Sequence, residues 1–205
     1  KYWAQRYRLF SRYDEGVWLD RDSWFSATPE VLAMHHALRV SAVGPMVIDA
    51  FCGPGANAIQ MALAGCQVLA IDLDPVKLEA ARHNASIYGV EDQIDFVHGD
   101  AVSVLRQLAS TNGSTRVDAV FLSPPWGGQS YLAAHQPFDL AVIEPSVSRT
   151  LAAAQGLTRN VGIFLPRKIL VQDVLALVGA GEHVEIEQNV INEKIKSLTV
   201  YLGDL

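Results

Sequence analysis

Four short apolar runs, each closing on a polar residue, constrain this chain more than any other feature. Val47-Ile48 runs into Asp49, Gln67–Ile71 into Asp72, Ile94–His98 into Gly99-Asp100, and Val117–Leu122 into Ser123. Such runs are short, unbroken and partly β-branched, as buried parallel strands are. Between them lie stretches suited to crossover helices: Ala56–Ala64 before Gly65, Pro75 to about Tyr88 before Gly89, and a segment from Asp100 to about Ala109. Asp74 and the two glycines stand where helix starts and stops belong. This alternation predicts an α/β fold around a mostly parallel sheet with helices on both faces. Ligands of such sheets bind at the carboxyl ends of the strands, so Asp49, Asp72, Asp100 and Ser123 are expected to share one site.

The rest of the chain extends the pattern. A helix is predicted from Pro29 to about Val40, with Thr28 as its N-cap and Glu30 in its first turn. Another is predicted near Phe138–Ala154, broken by Pro145, then a fifth strand over Asn160–Leu165 and a helix near Leu170–Val178. His183–Asn189 and Ser197–Leu202 are too close for a crossover helix, so they form an antiparallel hairpin. The result is a seven-stranded sheet with one reversed strand. The 205 residues, 50% of them hydrophobic, support a single catalytic-size domain, here divided into an N-terminal helical arm (1–40) and a main domain (41–205). No apolar run is long enough to span a membrane and no leader-like segment opens the chain. The start at Lys1 instead of methionine suggests part of a longer protein, whose flanking segments could bring protein partners. Two cysteines suit a reducing compartment, and the six histidines show no ligand spacing, so no metal is expected.

The first turn narrows the ligand. Asp49-Ala50-Phe51-Cys52-Gly53-Pro54-Gly55 is a glycine turn without the third glycine of the dinucleotide fingerprint and without a lysine. Asp49 would repel a pyrophosphate, while Asp72, roughly 20 residues past the turn, stands where a carboxylate grips a ribose. A cationic ligand with an adenosine end fits both acids, and S-adenosylmethionine is one. The tetrapeptide Ser123-Pro124-Pro125-Trp126 suits an aromatic amine. Prolines remove backbone donors and leave rigid carbonyl acceptors, Ser123 adds an acceptor, and Trp126 offers a stacking face. A proline-rich turn with a core tryptophan is the plainer reading of the same residues. Net charge is −6, which excludes a protein that coats nucleic acid along its phosphates but not one that reads a single nucleotide. Residues 1–12 nonetheless hold Lys1, Arg6, Arg8 and Arg12 and no acid, with aromatics interleaved. They form either a phosphate-holding arm or an amphipathic helix packed on the core.

The chain resembles the trimethylguanosine synthases, RNA cap hypermethylases among the class I S-adenosylmethionine-dependent methyltransferases. Lys1–Arg12, Asp49–Gly53, Ser123–Gly128 and Phe164–Arg167 carry the resemblance, with Val184–Asn189 and Tyr201–Leu205 in the tail. It implies a Rossmann-like methyltransferase fold and methylation of the exocyclic N2 of a 7-methylguanosine cap. It also implies m7G-capped RNA of the snRNA or snoRNA kind as partner, a monomeric catalytic domain, and a nuclear or cytoplasmic place of action. By resemblance, Ser123 and Pro124 orient the amine and Trp126 stacks on the methylated guanine. Lys1 and Arg167 hold cap phosphates. Asp49, Gly53, Asp72 and Asp100 bind the cofactor, and the Phe25-Ser26-Ala27-Thr28 segment closes over it. The site chemistry alone also allows N2-guanine or N6-adenine methylation of structural RNA or DNA, or a non-catalytic cap-binding module. Cys52 is expected to fill the turn, Asn84 to lie on the surface, and Lys194 and Lys196 to form a solvated hairpin face.

Overall fold

The computed structural model describes residues 2–111, 116–128, 137–179 and 181–205. Seven strands form one sheet: β1 Met46–Ala50, β2 Gln67–Asp72, β3 Ile94–His98, β4 Ala119–Leu122, β5 Val161–Pro166, β6 Val184–Ile191 and β7 Lys194–Leu202. Their order is β3-β2-β1-β4-β5-β7-β6. β1 to β5 run parallel, whereas β7 pairs antiparallel with both β5 and β6. The helices are α1 Arg6–Leu9, α2 Ser23–Ser26, α3 Glu30–Ser41, α4 Ala56–Leu63, α5 Pro75–Tyr88, α6 Ala101–Ser110, α7 Val147–Gln155 and α8 Val171–Leu175.

Alternate residues of the central strands feed two separate cores. Val47, Val68, Ala119, Phe121 and Phe164 pack with α3, α4 and α5. Ile48, Val120, Leu122, Ile163 and Leu165 face the other way, toward α6, α7 and α8. Because β1, β4 and β5 are covered on both sides, they read as continuous apolar runs in the sequence. Where a cap was legible the helix starts as expected: Asp74 accepts from Val76 N–H at 2.9 Å, and Asp100 from Ser103 N–H at 2.8 Å.

Of the arm, the helix expected over Pro29–Val40 is α3, Glu30–Ser41. Before α3 its helical pieces are single turns, held by contacts to α3 and α5. The Ser11 hydroxyl donates to Glu30 at 2.7 Å, and the Tyr88 hydroxyl donates to the same carboxylate at 2.8 Å. Trp3, Tyr13 and Trp24 form an aromatic cluster, with Trp3 and Tyr13 centroids 5.6 Å apart and nearly perpendicular. Thr28 does not cap α3, which opens after Pro29 without a side-chain cap; its hydroxyl turns instead toward Asn57. No continuous helix occupies Phe138–Ala154. A single 3-10 turn at Leu140–Val142 precedes Pro145, and α7 starts afresh with Ser146 as its cap. Proline disfavours helical geometry in the residue before it and lacks the donor a helix needs. The helix expected over Leu170–Val178 is also shorter, ending at Leu175.

Asn84 is the clearest correction: it is 0% exposed, not a surface residue. Its amide accepts from Trp18 N–H at 2.8 Å and donates to the Trp18 carbonyl at 3.0 Å and the Pro54 carbonyl at 2.9 Å. One side chain on α5 thus joins the arm to the glycine turn. Replacing it with alanine strands a buried donor and two acceptors, so Asn84→Ala should cost about 2–3 kcal/mol in urea unfolding. Limited proteolysis should then cut first within the arm. A loss below about 0.5 kcal/mol, as for an ordinary surface change, would contradict this arrangement.

Candidate active site

The carboxyl ends of β1, β2 and β4 lie side by side, Asp49 pairing with Ala70 and Phe121, and Ala50 with Ile71 and Leu122. The chain leaves β1 through Phe51 (φ 68°), Gly53 (φ 54°) and Gly55 (φ 89°). Gly55 is demanded twice over: its φ is left-handed, and a Cβ there would stand 3.1 Å from the Ala81 methyl of α5. The turn is tied to both neighbours. Cys52 N–H donates to Ile71 at 2.9 Å, and Gly53 N–H donates to the Asp72 carboxylate at 2.8 Å. The other oxygen of Asp72 accepts from Asp74 N–H at 2.9 Å.

A cavity of about 730 Å³ opens above these ends. Of the residues expected in the site, Phe25, Ser26, Thr28, Gly53, Asp72, Asp100, Ser123, Pro124 and Trp126 all line it. Trp126 is half-buried, its indole N–H donating to the Phe164 carbonyl at 3.2 Å and its ring 5.0 Å from the Phe164 ring. The indole is therefore a wall of the cavity, fixed at one edge, and not simply core. Asp100 both lines the cavity and caps α6. Cys52 is buried in the turn, and burial raises its thiol pKa well above the ordinary value, consistent with a filler instead of a nucleophile.

Three expected residues stand apart. Asp49 is 0% exposed and does not line the cavity; it lies beneath the glycine turn. Arg167 is exposed outside the cavity and donates to the Ile195 carbonyl at 3.0 Å. Lys1 lies outside the described residues. The cavity in turn has walls that sequence reasoning missed. Arg21 comes from the arm, Asn57 from the first turn of α4, Lys77 from α5, Glu144 from the stretch before α7 and Phe164 from β5. Asn57 had a signal in its position directly after the glycine turn. Arg21, Lys77 and Glu144 are polar residues in loops and helix starts whose direction only the fold reveals, and Phe164 is one residue of a continuous apolar run in β5.

An adenosyl sulfonium fits this cavity by its donor set. Asp72 and Asp100 end adjacent strands, and the Asp49 carboxylate has neither oxygen in a hydrogen bond of good geometry among the described residues. Burial is the main cause that raises the Asp49 pKa to about 8, with the nearby Asp72 charge adding to it and the Ala58 amide offsetting part. Asp49 is therefore mostly protonated at neutral pH until a cation or water comes within reach. Among the described residues no group of three or more His, Cys, Asp or Glu could hold a metal.

The raised Asp49 value has a definite sign. Unfolded, this carboxyl titrates near about 4; folded, at about 8. Between these values the native state holds a proton that the unfolded chain has lost. The stability contributed by this group is full below about pH 4 and is lost as pH rises through about 8. The melting temperature of the protein minus that of Asp49→Asn should therefore fall between about pH 5 and about pH 8. A difference that stays flat, or rises, would mean the carboxylate is ionised in the fold.

The chain is 40% identical over 180 residues to trimethylguanosine synthase of Schizosaccharomyces pombe, covering 86% of this chain and 74% of that protein. It is 36% identical over 175 residues to trimethylguanosine synthase of Saccharomyces cerevisiae, covering 82% of this chain and 54%, about half, of that relative. The crystal structure of a SAM-dependent methyltransferase from Agrobacterium tumefaciens shares the fold, with a TM-score of 0.67 and 16% identity over 88% of this chain and 64% of that one. A family model described as RNA cap guanine-N2 methyltransferase matches residues 44–205, from just before β1 through the end of β7. On that match and those identities, this chain belongs to the RNA cap guanine-N2 methyltransferase family.

Proposed function

We propose that this chain transfers methyl groups from S-adenosylmethionine to the exocyclic N2 of the 7-methylguanosine RNA cap, giving 2,2,7-trimethylguanosine. The observation that carries this is a shared cavity: Ser123, Pro124 and Trp126 line the same space as Gly53, Asp72 and Asp100. When bound, S-adenosylmethionine supplies an electrophilic methyl group, whose transfer breaks a carbon–sulfur bond, forms a carbon–nitrogen bond and releases one amine proton. Every other demand falls on the protein. Asp72 and Asp100 receive the adenosine end, Phe25, Ser26 and Thr28 close the cavity from the arm, and Asp49 supports the cationic end from below. Ser123 and the Pro124 carbonyl accept the amine protons, so that the nitrogen lone pair points along the line of transfer. Placement alone is worth about 7–11 kcal/mol in favourable cases, so no separate general base is required.

Substrate choice follows from charge. N7-methylguanine is cationic, and stacking on Trp126 adds a cation–π contribution to the about 1–3 kcal/mol of ordinary base stacking. Neutral guanine forfeits that contribution. The cap is also an unpaired end, so no duplex has to open. Lys1 and Arg167 contact the cap phosphates. The chain works as a monomeric catalytic domain on snRNA- and snoRNA-like capped RNAs in the nucleus or cytoplasm.

Incubation with labelled S-adenosylmethionine and m7GpppG or GpppG tests this reading. Transfer to m7GpppG alone is expected; transfer only to longer uncapped RNA, or none, would overturn it. Trp126→Ala should abolish transfer while leaving S-adenosylhomocysteine affinity within about threefold, because the indole stacks on substrate and not on cofactor. Loss of both would make the tryptophan a packing residue. Arg167→Ala should weaken m7GpppG binding more at about 50 mM salt than at about 200 mM, since a phosphate contact is screened. Equal weakening at both would exclude that contact.

A further inference from the structure

Behind the cavity wall runs a chain of polar side chains that methyl transfer as described above does not use. Asn57 Nδ2 lies 3.1 Å from Thr28 Oγ1 and 3.3 Å from Ser123 Oγ. Asn57 Oδ1 lies 3.2 Å from His36 Nδ1. On the far side of the imidazole, His36 Nε2 is 2.9 Å from Thr199 Oγ1, which is 2.8 Å from Asn189 Nδ2. Asn57, His36, Thr199 and Asn189 are all buried, His36 and Thr199 completely. Five side chains from the arm, α3, α4, β6 and β7 thus converge on the serine that follows β4.

The far end sets the direction of this chain. Asn189 Oδ1 has no hydrogen-bond partner among the described residues. With the Asn189 amide donating, the carbonyl and one amide hydrogen are left bare among the described residues; with the amide reversed, both hydrogens would be. Buried orphan N–H groups are the rarer and costlier defect. Asn189 therefore donates to Thr199, whose own hydrogen goes to His36 Nε2, an imidazole nitrogen being a stronger acceptor than the nearby Tyr201 phenol. His36 is neutral, burial holding its pKa down to about 4, so its one hydrogen sits on Nδ1 and goes to Asn57 Oδ1. That leaves both Asn57 amide hydrogens for Thr28 and Ser123. Each hydrogen bond from Asn189 to Asn57 then has one direction.

We propose that Asn57, oriented by His36, is a positioning residue that fixes the Ser123 oxygen for the substrate amine and pins the Thr28 end of the arm to the same amide. This inference rests on the reading of Ser123 as amine acceptor. Neither Asn57 nor His36 touches the reacting atoms in it. Asn57 occupies one lone pair of Ser123 Oγ, which turns the serine's own hydrogen away from Asn57 and leaves the second lone pair for the amine. The amine meets an oxygen already in place. Thr28 shares the donor, so the wall contributed by the arm and the wall contributed by β4 are set by one side chain.

Two measurements on the full 205-residue chain test this. Nitrogen-15 correlation spectra of the histidine rings report the tautomer directly and need no activity. His36 should be protonated on Nδ1; protonation on Nε2 would reverse the chain and overturn the proposal. The second is a kinetic split with S-adenosylmethionine and m7GpppG. His36→Gln carries its amide to the Nε2 position, out of reach of Asn57, and should lower single-turnover transfer by about 10- to 100-fold, as small misplacements do. Cofactor and cap affinities should stay within about threefold. His36→Asn restores a donor at the Nδ1 position and should recover most of the rate. Equal rates in the two variants, or a loss confined to binding, would make the network simple packing. If the unaltered chain fails to methylate m7GpppG, the cap reading falls, while the tautomer still decides the relay.

Discussion

β1 lies inside the sheet with a parallel neighbour on each side, and this placement governs the site. Its last residues are flanked by the ends of β2 and β4, so the chain cannot continue without colliding with their exits. It escapes through a turn in which Phe51 takes φ 68°, a left-handed conformation that costs a non-glycine residue about 1–3 kcal/mol. Phe51 is held there because the next residues are fastened on both sides. Cys52 N–H goes to the end of β2, Gly53 N–H to Asp72, and Ser123 N–H to Ala50 at 3.2 Å. The same bonds that close the turn bring Asp72 and Ser123 to one rim. Phe51 itself lines the cavity, so the strain lies where the ligands meet.

Two aspartates at neighbouring strand ends show how environment divides one chemistry. Asp72 reaches the cavity and has both oxygens engaged by backbone amides, which hold its carboxylate at a fixed angle. Asp49 is sealed below, the Ala58 amide offsetting only part of its burial, which pushes its pKa up to about 8. An acid beside a cationic ligand is useful only if the ligand can recover the cost of ionising it. Asp72 is thus fixed in geometry, while Asp49 would ionise only beside a positive charge. Both were legible as candidates in the sequence, but the difference between them was not, since it depends on what covers each strand end.

The same distinction explains what else could be read in advance. Strands β2 and β3 match their expected bounds residue for residue, because alternating burial and flanking turn residues act locally. The hairpin was legible from the short spacing between its strands. Ser123-Pro124-Pro125-Trp126 was legible because proline and tryptophan have few structural uses at a strand end. Asn84 was misplaced because an asparagine within a helix carries no local mark of burial; its three hydrogen bonds go to residues 30 or 66 positions away. His36 and Asn57 were passed over for the same reason, their partners lying on β4, β7 and the arm. Thr28 had the position of a helix cap, but a buried amide competed for its hydroxyl and won. Polar residues whose partners are distant in sequence are those that pattern reasoning misplaces.

The charge balance finally bears on where recognition is concentrated. A protein of net charge −6 gains little from releasing counterions along an RNA strand. Several of its cations are also engaged internally. The Arg6 guanidinium lies over the Trp3 and Tyr7 rings at 4.8 Å and 4.1 Å, Arg12 pairs with Glu15, and Arg39 makes two hydrogen bonds to Glu185. The Arg6 and Arg12 contacts lie within the arm itself, and the Arg39 pair ties α3 to β6. Affinity must then come from a small area where stacking, amine hydrogen bonds and a few phosphate contacts act together. A cationic base suits such a site, because its charge is attracted by the acidic surface that repels the rest of the strand. The acidic balance that argues against a general RNA binder is thus what a reader of one charged nucleotide needs.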